Sequence, residues 1–311
     1  MKLLTICIPT YNRSNYLISL LEFLKNEIIP YRDLIEVRVS DNCSDESHKL
    51  VIKEYYNRNP FFEITYNEEN LGLIGNIYNL LKLTNSSYIW FVGDDDVLLP
   101  RVICKVISII QSKSVDYIFL NFNTFYDTID NVQSTLTLPN TVGFIDNNRA
   151  LALDFFKANG TACMFMSAGI HKTENIRIVA DLNRKPLITD PLLFYFFSAN
   201  KSIYIEEQVY VLDRLSGISW KKDAVNVFSW KVPNTLIELF EFDIYTKNDI
   251  KDVLYHYFRR DKNYLFFILK SPVCLKLKMF EMLFGKNISL TLLSVKYFFF
   301  LATKRRYINR K

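Results

Sequence analysis

The sequence predicts an α/β fold, a mostly parallel sheet flanked by helices, with a helical C-terminal extension. Three observations predict it. Over the first 120 residues, short β-rich apolar runs alternate with stretches whose apolar residues recur at helical spacing. Polar clusters follow the strand runs, at their C-terminal ends. From Asp261 onward the chain changes character and becomes aromatic and basic.

Each element has its own signal. LLTICIP (3–9) is an apolar strand ending at Pro9. Ser14 or Asn15 can cap a helix that carries Leu17, Leu20, Leu21 and Leu24 on one face. LIEVRVS (34–40) alternates Ile35, Val37 and Val39 as a second strand. The polar turn DNCSDES then opens a helix reaching about Asn57. FFEITY (61–66) is a third strand. After NEENLG, the residues Ile74, Ile77, Tyr78 and Leu81 mark another helical face. YIWFV (88–92) is a fourth strand, Pro100 can start a helix through about Gln111, and VDYIFL (115–120) is a fifth strand. From about 121 to 150 the chain reads as loops and short strands, and 150–158 as a helix. MFMSAGIHK (164–172) reads as strand and turn. LITDPLLFYFFSA (187–199) places an aspartate just before an apolar helix, and SIYIEEQVYVLDRLSGIS reads as strands and a loop.

Strand–helix alternation at this spacing implies parallel strands joined by crossover helices. Such sheets bind ligands outside the carboxyl ends of their strands. TYNR follows strand one, DNCSD strand two and GDDD strand four, so three polar loops from separate parts of the chain are expected on one edge. The acidic run Asp94, Asp95 and Asp96 is the most demanding. Adjacent carboxylates repel unless a cation holds them. Mg²⁺ or Mn²⁺ takes such hard oxygen ligands together with substrate phosphates. A metal bridging a diphosphate would stabilise the charge on a departing nucleoside diphosphate.

Composition narrows the alternatives. Half of the 311 residues are apolar and 23% are charged, enough for a large core and against disorder. The net charge of +5 is a mild bias, and no nucleic-acid-binding motif is present. The five cysteines are scattered without a CxxC pair, as in a reduced, cytosolic protein. No stretch of about 18 uncharged apolar residues suits a membrane span. Neither a GxGxxG nor a GxxxxGK[ST] loop follows strand one, which disfavours dinucleotide oxidoreductases and P-loop NTPases.

CIPTYNR, SDNCSD, NLGLIGN and GDDD, in this order, resemble the family 2 glycosyltransferases of the GT-A fold, a Rossmann-like sheet. The likeness is specific over residues 3–100 and traceable to about 220. It implies a domain over 1–220, with a nucleotide-binding half (1–120) and an acceptor half (121–220), followed by a helical basic-aromatic region over 221–311. It also implies roles. Pro9, Thr10 and Tyr11 would line the base pocket, with Arg13 near the base or phosphates, and Asp41 would hydrogen-bond the base. Asn70 and the stretch from Gly72 to Asn76 would border the ribose. Asp94 and Asp95 would lie near the ribose and donor sugar, and Asp96 would be the metal ligand for Mg²⁺ or Mn²⁺. Asp190 would be the base that deprotonates an acceptor hydroxyl, with Thr189 departing from the Glu usual before it. Arg214 would clamp the diphosphate, with Ser216 or Ser219 assisting. His171 could touch donor or acceptor, or simply pack.

The activity so implied is metal-dependent, inverting transfer of a sugar from a nucleoside-diphosphate sugar to a hydroxyl of a lipid-linked glycan. Relatives of similar sequence build O-antigen or capsule. A nucleotidyltransferase-like enzyme and a non-catalytic nucleotide-sugar-binding module are the alternatives. After Asp261 there are eleven Lys or Arg and a single acid, Glu281. That tail reads either as a packed helix with a solvated end or as a peripheral anchor on an anionic bilayer. The enzyme is therefore expected in the cytoplasm, at the inner face of the membrane.

Overall fold

The computed structural model describes residues 2–126, 128, 131–134, 136–140, 142–145, 149–215 and 226–260. The chain forms two compact units, Met1–Ile218 and Ser219–Lys311. The basic-aromatic tail, Ser216 and Ser219 lie outside the described residues.

The first unit opens with β1 (Leu4–Thr10), α1 (Ser14–Ile28), β2 (Ile35–Asp41), α2 (Glu46–Arg58), β3 (Glu63–Tyr66), α3 (Gly72–Leu83) and β4 (Tyr88–Phe91). These four strands are all parallel: β1 pairs β2 on one side and β4 on the other, and β2 pairs β3. The leucines of α1 predicted to face inward are buried, and so are Ile74, Ile77 and Leu81 of α3. Then come β5 (Val97–Leu98), α4 (Val102–Ser112) and β6 (Tyr117–Phe125). The helix α4 begins two residues after Pro100, because Arg101 takes a left-handed conformation with φ 72°.

Two short strands follow, β7 (Gln133–Ser134) and β8 (Gly143–Ile145), then α5 (Arg149–Asn159), β9 (Gly169–Lys172), α6 (Thr173–Ala180), α7 (Asp190–Ala199) and β10 (Ile203–Arg214). The sheet runs β3-β2-β1-β4-β9-β6-β10-β5, with β7 on β6 and β8 on β10. The fifth predicted strand, β6, therefore does not sit beside β4. The short strand β9 enters antiparallel between them, pairing both. β6 is parallel to β10, the long strand that ends the unit.

This topology fixes where α7 starts. β9 runs opposite to β4, so α6 leaves from the N-terminal edge of the sheet. The segment 181–189 then returns the chain, and α7 packs on α6 beginning at Asp190. α7 is buried along its whole length, and its Phe194 stacks on Phe91 of β4 at 6.2 Å. In the second unit, α8 (Val232–Glu241) and α9 (Lys247–Arg260) pack on each other. No helix among the described residues is long and apolar enough to cross a membrane.

His171 belongs to the core. Its ring lies 4.8 Å from that of Tyr117 and 6.2 Å from that of Phe194, and Nδ1 meets Ser198 Oγ at 3.0 Å. Burial pushes its pKa down to about 3. The sign follows directly. The unfolded chain protonates this group near pH 6.5 and the native core does not, so its contribution is full above 6.5 and is lost as pH falls toward 3. Each pH unit in that window costs about 1.4 kcal/mol. In urea melts at several pH values, His171→Phe should therefore narrow its stability deficit, or gain on the wild type, as pH falls from 6.5.

Candidate active site

The loops after β1, β2 and β4 meet at the carboxyl edge of the sheet. Asn12, left-handed at φ 54°, clasps the next loop. Its backbone N–H donates to Ser44 Oγ at 2.8 Å, and its side-chain oxygen accepts from the Asp45 N–H at 2.8 Å. Such a backbone conformation suits Asn, whose short polar side chain bonds locally.

This clasp holds Thr10 and Arg13 over the aspartates. Thr10 Oγ1 donates to Asp94 Oδ2 at 2.7 Å. Arg13 Nη1 reaches Asp94 Oδ1 at 3.1 Å and Asp95 Oδ2 at 2.8 Å. Asp94 is nearly fully buried. Burial raises its pKa to about 6, against the lowering effect of Thr10 and Arg13. Arg214 completes the group from the end of β10. Its Nε donates to the Asp95 carbonyl at 3.2 Å, and its guanidinium lies between the rings of Tyr16 (5.0 Å) and Phe125 (4.6 Å).

Asp96 turns inward. Its carboxylate accepts a hydrogen bond from Ser167 Oγ, which itself accepts from the Gly93 N–H at 2.8 Å. A Cβ on Gly93 would stand 2.6 Å from Asp96 Oδ2, so only glycine lets this carboxyl come so close. The residue keeps part of its surface, and burial raises its pKa well above the ordinary value. Asp213 adds to the shift, and its own pKa is raised to about 6 by burial and by Asp95.

The remaining predicted residues divide. Tyr11 is exposed at the same edge, and Pro9 is buried in β1. Asp41 is fully buried and accepts from both the N–H and the hydroxyl of Ser44. Asn70 Oδ1 accepts from Asn42 and from the Gly72 N–H, both at 2.8 Å, at the left-handed turn (Gly72 φ 69°) that opens α3. Asn76 is buried, donating to the Ser40 carbonyl and accepting from Asn67, each at 2.9 Å. Both ends of its amide are thus engaged inside the protein, where it braces α3 against β2.

Asp190 opens α7 but does not cap it. Its Oδ1 accepts from Arg184 Nη1 at 2.6 Å and its Oδ2 from the Tyr78 hydroxyl at 2.8 Å. No part of its carboxylate is exposed. Ser167, Asp213, Tyr78 and Arg184 were not singled out as site residues from the sequence. Tyr78 alone had a signal, and that signal was for a helix face.

The family model for glycosyl transferase family 2 matches residues 5–172, more than half of the chain. The chain belongs to this family. Abequosyltransferase RfbV of Salmonella typhimurium is 33% identical over 130 residues, and the match spans 41% of this chain and 38% of that protein. Glycosyltransferase GlyG of Streptococcus pneumoniae is 22% identical over 302 residues, 90% of this chain and 96% of that one. Among solved structures, S. aureus TarS 1–349 in complex with UDP superimposes with a TM-score of 0.61 at 17% identity, covering 91% of this chain and 79% of that chain. The chain is thus a family 2 glycosyltransferase with the GT-A type of sheet expected from the sequence.

Arg13 is the charge that makes the aspartate run tolerable. Arg13→Ala should lower stability by about 1–3 kcal/mol at pH 7, the cost of leaving the buried Asp94 carboxylate with Thr10 as its remaining donor. The loss should shrink at pH 5, where Asp94, with a pKa of about 6, is protonated. Denaturant melts at the two pH values measure this.

Proposed function

We propose that the protein transfers a sugar, with inversion, from a nucleoside-diphosphate sugar to a hydroxyl of a glycan. The observation that carries this reading is the meeting of Asp94, Asp95 and Asp96 with Thr10, Arg13 and Arg214 at the carboxyl edge of a parallel sheet. A nucleotide sugar laid on this edge would bring its base to Tyr11 and its ribose and sugar to Asp94 and Asp95.

The donor set fits a hard divalent cation. Asp95 offers carboxylate oxygens at this edge beside Arg13, and Asp96, hydrogen-bonded to Ser167, would turn from it to join the ion. Mg²⁺ and Mn²⁺ suit such a site, completing their shell with substrate phosphates and water. Asp96, with Asp95, would hold the ion, which when bound would take up charge on the diphosphate. Arg214, held by its aromatic neighbours and the Asp95 carbonyl, would add two Nη donors to that diphosphate. Asp190 would accept the proton of the acceptor hydroxyl as the oxygen attacks the anomeric carbon from the face opposite the diphosphate.

The acceptor is proposed to be a lipid-linked glycan of a bacterial surface polysaccharide, O-antigen or capsule, and the place of work the inner face of the cytoplasmic membrane. This rests on likeness to relatives and on the basic, aromatic composition of residues 262–311.

Two substitutions separate the roles. Asp190→Asn should lower kcat about 10²–10⁴-fold, the usual contribution of a positioned base, while calorimetry still finds the donor bound. Asp96→Ala should weaken donor binding at least tenfold, about 1.4 kcal/mol, in Mn²⁺ or Mg²⁺, with little effect after chelation. Full transfer by both variants would refute these two roles, and donor binding without transfer by the wild-type chain would leave a binding module as the better reading.

A further inference from the structure

A cleft of about 410 Å³ lies between α3 and the segment from α6 to residue 186. Its lining includes Tyr78, Lys82, Arg177, Asp181 and Arg184. Three of these are cationic at pH 7 and one is anionic. Lys82 is exposed and enters no ion pair among the described residues. Arg177 donates to the Thr84 carbonyl and, at 3.5 Å, to Asn85 Oδ1, both uncharged. Arg184 pairs with a carboxylate, that of Asp190, at 2.6 Å.

The wall toward Asp190 is informative. Tyr78 and Arg184 both line the cleft, and they are the two donors that cover the Asp190 carboxylate. A hydroxyl reaching Asp190 from this side has to displace one of them. An anion in the cleft would compete with Asp190 for Arg184, because a guanidinium pairs equally well with phosphate and with carboxylate. The cleft therefore joins a surplus of positive charge to a mechanism for uncovering the base.

We infer that this cleft receives an anionic group of the acceptor, a phosphate or a sugar carboxylate, and that Arg184 exchanges Asp190 for it. The inference that the anion belongs to the acceptor rests on Asp190 being the base; the anion site itself does not. The acceptor class is then charged: either a glycan joined to its carrier through phosphate, or an acidic glycan.

The test uses inorganic phosphate and glucuronate as probes, titrated calorimetrically into the full chain. Lys82→Glu lies on an exposed helical face, and its folding is checked by thermal melts. Binding of at least one probe is expected in the wild type and in Arg214→Ala, with a tenfold or greater loss in Lys82→Glu. Phosphate alone indicates a phosphate-linked acceptor, and glucuronate an acidic one. Asp190→Asn should tighten the probe, since Arg184 loses its competing carboxylate. No binding of either probe would overturn the inference. So would binding that vanishes in Arg214→Ala but survives in Lys82→Glu, which would place the anion at the diphosphate side. Weaker binding in Asp190→Asn would overturn the exchange at Arg184. If Asp190→Asn instead transfers sugar at the wild-type rate, the base assignment fails while the anion site stands.

Discussion

Three adjacent carboxylates at the end of a buried strand must be neutralised, and the architecture around them follows from that constraint. Two unit charges about 4 Å apart interact by about 4 kcal/mol at an effective dielectric constant of 20. The chain answers with Arg13 bridging Asp94 and Asp95, Thr10 on Asp94 and Ser167 on Asp96. For Arg13 to reach, β1 must lie beside β4, in register from Leu4 with Tyr88 to Cys7 with Phe91. For Ser167 to reach, the chain must return just before β9, and Gly93 must lack a side chain. Burial nevertheless raises the pKa of Asp94 to about 6 and that of Asp96 well above the ordinary value.

The helix α3 links the two sides of the chemistry. It opens at the left-handed Gly72, beside the loops that carry the proposed nucleotide contacts. Two turns on, it presents Tyr78 to Asp190, and one turn further Lys82 to the basic cleft. Asn76, buried between these positions, ties the helix to β2 and so fixes its distance from the sheet. The proposed donor and acceptor sides thus share one helix, with a T-shaped contact between Tyr78 and Phe194 holding α7 against it.

Much of this was legible in the sequence because it is periodic or local. The alternation of Ile35, Val37 and Val39 and the spacing of Leu17, Leu20, Leu21 and Leu24 each reflect one face meeting the core. The polar loops were legible because parallel strands put their carboxyl ends together. What escaped was made by distant pairing. GIHK is too short to reveal that it lies antiparallel between β4 and β6. Ser167 carries no motif, since its value comes from Asp96, 71 residues away. Arg184 sits in a loop that reads as polar surface until Asp190 is placed beside it. His171, open to a ligand role in the sequence, is a core residue because Tyr117 and Phe194 close around it.

The central claim is that the aspartate edge holds a nucleotide sugar. The most direct measurement offers a panel of nucleoside-diphosphate sugars to the full chain with Mn²⁺ or Mg²⁺ and reads release of the nucleoside diphosphate, water taking the sugar in place of the glycan hydroxyl. At least one donor should be turned over, and release should stop on chelation and fall at least a hundredfold in Asp95→Asn. Release from no donor, or release indifferent to both chelation and Asp95→Asn, would contradict it.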